Sequence, residues 1–156
     1  MKTSDIQIVE LHPMRVASAY GFGEQPEEAA WNQLAEWARP KGLLDDLITH
    51  PLFGFNNPYP IPGASKYGYE FWIKVGNGVE PSGPIRITEF MGGTYASLQC
   101  NVKGHPEDIP SRWQELVQWC RDTHRILGKQ PALEGFLTTP DDLQHLVLNL
   151  YCPLCE

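Results

Sequence analysis

The sequence predicts an α+β fold in which two pseudo-two-fold-related strand-strand-helix-strand-strand repeats form antiparallel sheet, with two main helices and a central cleft. Three observations carry that expectation. Several short runs along the chain alternate apolar and polar residues, the period of half-buried strands. Two segments instead keep their apolar residues on one helical stripe: Ala30, Trp31, Leu34, Trp37 and Ala38 in the first, and Ile109, Trp113, Leu116, Val117 and Cys120 in the second. The two segments also match each other. Residues 31–39 align with 113–121 at both Trp, the Leu and the Arg, an offset of 113 − 31 = 82. Gly54-Phe55 aligns with Gly135-Phe136 at 135 − 54 = 81. Shared helical periodicity makes any two amphipathic helices look partly alike, but near-constant offsets through helix and strand read as a duplicated unit. One domain is expected over 1–156, with repeat one at about 1–77, a linker at 78–84 and repeat two at about 85–156.

In chain order, residues 6–11 and 14–20 are alternating runs on either side of His12-Pro13 and read as an antiparallel pair. Gly21-Phe22-Gly23 turns the chain but lacks the third glycine of a dinucleotide loop. Pro26-Glu27-Glu28 opens the first helix with acids at its positive end, and Arg39-Pro40-Lys41-Gly42 stops it. Residues 51–56 read as a third strand, and the Pro/Gly/Asn-rich loop at 57–65 is long enough to form a rim or lid. The strongest strand signal is 67–75. Tyr69, Phe71, Ile73 and Val75 share one face as core, with Glu70, Trp72 and Lys74 on the other. The run 76–84 is a connection without the Gly-Lys-Ser/Thr of a phosphate loop. Residues 85–91, Gly92-Gly93 and 94–102 read as a hairpin. The second helix starts at Asp108-Ile109-Pro110 and is expected to close at Gly128, and strands around Glu134 and at 146–151 complete the order.

Composition narrows the function. A chain of 156 residues with 42% apolar and 20% charged residues builds a globular core. No signal-peptide h-region and no apolar run of about 20 residues is present, so a cytoplasmic protein without membrane contact is expected. A net charge of −7 argues against direct nucleic-acid binding and concentrates cations around the surface. Cys100 and Cys120 fall on apolar faces. Cys152-Pro-Leu-Cys155 is half of a zinc signature without its second pair, so reduced thiols and neither metal nor cofactor are expected.

The candidate site starts from residues 130–140, a short strand between prolines with one carboxylate in an apolar run. Alternation puts Ala132, Glu134 and Phe136 on one face and Leu133, Gly135 and Leu137 on the other. An acid so placed either sits at a wet rim or meets a positive partner, because an unpaired buried charge is costly. Superposing the repeats sets Glu134 where the first half carries Phe53, so the internal symmetry is broken there by a charge.

The duplicated order, Gly92-Gly93-Thr94-Tyr95-Ala96 and the later Leu133-Glu134-Gly135-Phe136 together resemble the GyrI-like small-molecule-binding family across essentially the whole chain. That family includes gyrase-inhibitory proteins and the effector-binding domains of AraC- and MerR-type multidrug regulators. The resemblance implies a cleft for lipophilic, often cationic or aromatic, ligands. Glu134 matches the family's buried acid, Phe136 the apolar contact two residues on, Tyr95 its strand aromatic, and Glu70 an acid of the fourth strand. No helix-turn-helix sequence accompanies the domain, so a stand-alone binding module for an amphiphilic cation or planar aromatic xenobiotic is expected. Its counter-charge would be Glu134 and its walls Phe136 and Tyr95, with Phe53, Phe55, Glu70 and Trp72 contributing. No catalytic residue is assigned. Some relatives hydrolyse electrophilic natural products with an aromatic cage and an acid, which makes a hydrolase the competing reading. The chain lacks a Gly-x-Ser-x-Gly elbow, however, and its five histidines form no catalytic pattern. A third reading is an inhibitory protein that binds a topoisomerase or a separate regulator.

Overall fold

A computed structural model of the chain describes residues 5–155. Its elements are β1 (Gln7–Leu11), β2 (Met14–Gly23), α1 (Pro26–Ala38), β3 (Leu52–Asn56), β4 (Tyr67–Lys74), β5 (Arg86–Phe90), β6 (Gly93–Asn101), α2 (Ile109–Asp122), β7 (Leu133–Phe136) and β8 (Val147–Pro153). Contacts group them into two compact units, one of Met14–Phe90 and one made of the chain before and after it. The central unit holds four antiparallel strands in the order β3-β4-β2-β5, with α1 packed on β2 and β4. The terminal unit holds β7-β8-β6-β1, also antiparallel, with α2 packed on β6 and β8. Each unit thus has four strands and one helix in the same arrangement, an α+β fold built from antiparallel sheet. Among the described residues no helix is long and apolar enough to cross a membrane.

The periodic signals account for the elements. The expected α1 stripe of Ala30, Trp31, Leu34, Trp37 and Ala38 is buried throughout, and Trp31 lies 5.5 Å from the Phe71 ring on the sheet below. Tyr69, Phe71, Ile73 and Val75 are buried as expected of core. In α2 only Leu116 and Cys120 are fully buried, and Trp113 and Val117 stay half-open.

Four expectations need correcting. β1 and β2 do not pair with each other: β1 pairs with β6, and β2 with β4 and β5. Tight two-residue hairpins need positive φ at the first loop position, and the His12-Pro13 link offers no glycine there. For the same reason of partner exchange, β5 and β6 form no hairpin. Gly92 and Gly93 have φ of 76° and 149°, and a Cβ on Gly92 would stand 2.4 Å from the Leu11 carbonyl oxygen. The glycine pair serves a close crossing of the chain rather than a turn between paired strands. Third, α2 ends at Asp122, well before Gly128. His124 takes the left-handed conformation at φ 60°, and the Arg125 and His124 amides donate to the Cys120 and Arg121 carbonyls. That is a Schellman closure with histidine in the glycine position.

The last correction concerns the repeat. Gly54 lies opposite Phe71, on the face that α1 covers. Gly135 lies opposite Asn149, on the face away from α2, because its neighbours Glu134 and Phe136 share the α2 face with Leu150 and Leu148. A one-residue slip turns every side chain to the other face, so the 81-residue offset fails. An offset of 134 − 52 = 82, the same as the helices, restores the faces and sets Glu134 in the place of Leu52, not Phe53. The 76–84 connection is also pinned: Arg15 donates to the Gly76 and Val79 carbonyls at 2.6 and 2.8 Å, and the Trp37 indole to Ser82 Oγ at 3.0 Å.

Candidate functional site

Two half-buried carboxylates stand out, one in each unit, and each receives an indole N–H. In the terminal unit β7 presents Glu134 and Phe136 on the α2 side, opposite Leu150 and Leu148. Glu134 Oε2 accepts from Trp113 Nε1 at 3.3 Å. The matched position in the central unit is Leu52, which is fully buried, and Trp31 corresponds to Trp113 by the same offset. A buried aliphatic in one unit is therefore a carboxylate in the other, and the helix tryptophan beside it turns its N–H toward that charge. A hollow of about 450 Å³ runs along α2 at Trp113, Val117 and Arg121.

In the central unit β4 presents Glu70 and Trp72 on the face away from α1. Glu70 Oε2 accepts from Ser18 Oγ and Trp72 Nε1, both at 2.7 Å, and Oε1 accepts from Asn57 Nδ2 at 3.3 Å. Three donors from two strands and a loop fix this carboxylate in one position. Phe53, Phe55, Trp72 and Phe90 form a ring cluster beside it, with Phe55 edge-on to Trp72 at 4.7 Å and Trp72 5.5 Å from Phe90. All four rings are buried. A hollow of about 430 Å³ opens over Ser18, Tyr20, Asn57, Glu70, Arg86 and Thr88.

Of the residues read from sequence, Phe53, Phe55, Glu70 and Trp72 are brought together, and Glu134 and Phe136 share a second face. Tyr95 joins neither group. It pairs opposite Pro153 on the sheet face away from α2, is 0% exposed, and donates its hydroxyl to the Pro131 carbonyl at 3.0 Å. Burial pushes its phenol far above the ordinary tyrosine value, so it stays neutral and structural. Sequence reasoning did not single out Trp113, which bonds Glu134, or Ser18, Tyr20, Asn57 and Arg86, which line the hollow at Glu70, as candidates for a site. Trp113 was visible as a stripe residue, but its turn toward Glu134 follows from the corrected repeat register. Arg86 was hidden because β5 was expected to pair elsewhere.

Two of the four cysteines meet, and the Cys152/Cys155 pair of the sequence does not form a ligand set. Cys152 is buried in β8 with its thiol against Cys120, and Cys155 is exposed. Burial, reinforced by Cys120, pushes the Cys152 thiol up to about 12, which disfavours the thiolate a metal would need. Among the described residues no group of three or more His, Cys, Asp or Glu is placed to hold a metal ion.

The model of the GyrI-like small molecule binding domain matches residues 4–154, nearly the whole chain. The protein belongs to this family. The fold agrees. The EcmrR C-terminal domain superposes with a TM-score of 0.71 at 13% identity, covering 96% of both chains. EcmrR in its complex with DNA gives 0.72 at 13% identity, with 96% of the GyrI-like chain aligned but only 56% of EcmrR spanned. SAV2435, solved bound to tetraphenylphosphonium, gives 0.58 at 11% identity over 99% of this GyrI-like chain and 93% of its own. No curated protein matches the sequence.

Proposed function

We propose that this GyrI-like domain binds lipophilic organic cations or planar aromatic cations, with Glu134 as counter-charge and Phe136 and Trp113 as ring partners. The observation that carries the reading is the half-buried Glu134 carboxylate, set among apolar strand residues under α2 and touched by the Trp113 indole. A carboxylate in such surroundings is weakly screened, and each ring face adds about 0.5–2 kcal/mol for a desolvated cation. The net charge of −7 draws cations toward the protein. SAV2435 with its bound tetraphenylphosphonium supports this by analogy of fold.

Titration with tetraphenylphosphonium, followed by tryptophan fluorescence and by melting temperature, tests it. The cation should quench emission and raise Tm, and Glu134→Gln should weaken binding at least tenfold, roughly 1.4 kcal/mol, while the unliganded Tm stays near wild type. Equal binding by a neutral analogue such as triphenylphosphine oxide, or an unaltered affinity in the variant, overturns the reading.

A further inference from the structure

The hollow over β2 holds two opposite charges that do not meet. Glu70 stands on β4 opposite Tyr20, and Arg86 on β5 opposite Ser18. Ser18 and Tyr20 are two residues apart on one strand, so all four side chains share a face. Two strand spacings of about 4.8 Å and an offset of two residues put the Glu70 and Arg86 backbones roughly 12 Å apart, with β2 between them. Both residues line the same hollow of about 430 Å³. Glu70 is held by Ser18, Trp72 and Asn57. These three donors occupy three of the roughly four acceptor sites of a carboxylate and leave one on Oε1 for a ligand. Arg86 and the Tyr20 hydroxyl make no hydrogen bond or ion pair to the protein among the described residues, and Arg86 offers a planar fork suited to a carboxylate.

We infer that this hollow is a binding site for small zwitterions, with the ligand's ammonium on Glu70 and its carboxylate on Arg86. A simple cation approaching Glu70 would meet the Arg86 charge across the hollow, and a simple anion approaching Arg86 would meet Glu70. A molecule carrying both charges at a matching separation satisfies both ends and avoids both repulsions. Tyr20 and Thr88 line the space between the two charges and supply hydroxyls to a polar ligand. The inference does not rest on the Glu134 reading. It concerns other residues, another unit and a ligand without net charge.

Trp72 supplies the reporter, because its indole N–H is bonded to Glu70. The full chain, labelled with ¹⁵N, is titrated with 6-aminohexanoate, with hexylamine and with hexanoate, following the Trp72 indole resonance assigned through Trp72→Phe. The zwitterion should shift that resonance saturably and bind about fivefold or more tighter than either single-charge compound. Arg86→Gln, at an exposed position, should bring 6-aminohexanoate down to the affinity of hexylamine, and Glu70→Gln to that of hexanoate. Tetraphenylphosphonium affinity should be unchanged by Arg86→Gln, which separates this site from the cation site at Glu134. The inference is overturned if hexylamine binds as tightly as 6-aminohexanoate, if Arg86→Gln leaves the zwitterion's affinity unaltered, or if millimolar zwitterion leaves the Trp72 resonance in place.

Discussion

At the scale of single residues the two carboxylates differ in how the chain holds them. Glu70 accepts from Ser18 and Trp72 on neighbouring strands and from the Asn57 side chain of a loop, whereas Glu134 accepts from the indole of Trp113 on a helix. Other residues take a structural part that is open to direct measurement. Tyr67 donates to both oxygens of Glu27 at 2.8 Å. Burial, then the hydrogen bond to the Glu27 carboxylate and its charge, push the Tyr67 phenol up to about 12. Because the folded value lies above the ordinary one, the stabilisation is complete below about 10 and is lost as pH rises through about 12. The gap in urea midpoint between wild type and Tyr67→Phe should therefore be widest below pH 10 and close as pH approaches 12. A gap that stays constant would show that the bond contributes nothing pH-linked. The cysteines give a second check. Cys155 is exposed, whereas Cys100, Cys120 and Cys152 are buried and burial raises the Cys100 and Cys152 thiols. At pH 8 a disulfide-exchange reagent should label one thiol quickly and three more only after denaturation.

At the scale of elements, the parts that sequence exposed are those governed by local periodicity. The α1 stripe and the Tyr69-Phe71-Ile73 face were legible because burial on one side writes itself into residues three, four or two apart. Strand partners were not legible. Pairing β1 with β6 joins residues such as Val9 and Tyr95, far apart in the chain, and no local pattern encodes that choice. The same limit hid Arg86 from the site and placed Glu134 opposite the wrong residue of the first repeat. The end of α2 was missed for another reason: Gly128 carried the composition of a stop, but His124 carries the geometry. A β-carbon in the left-handed region costs about 1–2 kcal/mol, partly offset by the entropy that glycine would add to the unfolded chain. His124→Gly should thus stabilise the protein by roughly 0.5–1 kcal/mol, read as a higher urea midpoint at unchanged slope. The opposite change at the crossing, Gly92→Ala, should destabilise it, because φ is 76° and the new carbon would press on the Leu11 carbonyl.

At the scale of the whole molecule, the duplicated sequence and the compact units do not share boundaries. The first strand of each repeat pairs in the unit built from the other repeat: β1 with β6 and β5 with β2. A sequence repeat is thus one strand short of its own sheet and carries one strand with no partner. This makes a comparison of two fragments informative. Residues 1–77 contain the first repeat, and residues 14–90 contain the central unit, with 90 − 14 + 1 = 77 residues in each. The second fragment keeps every pairing among β2, β3, β4 and β5 and the whole contact of α1 with its sheet. The first exposes one edge of β2 and leaves β1 with unpaired amides, a state prone to association. Amide spectra should show wider dispersion, and sedimentation a smaller tendency to associate, for 14–90 than for 1–77. Equal behaviour would mean that the exchanged strands add little to either sheet. A better-folded 1–77 would make the sequence repeat, not the contact unit, the cooperative element of the chain.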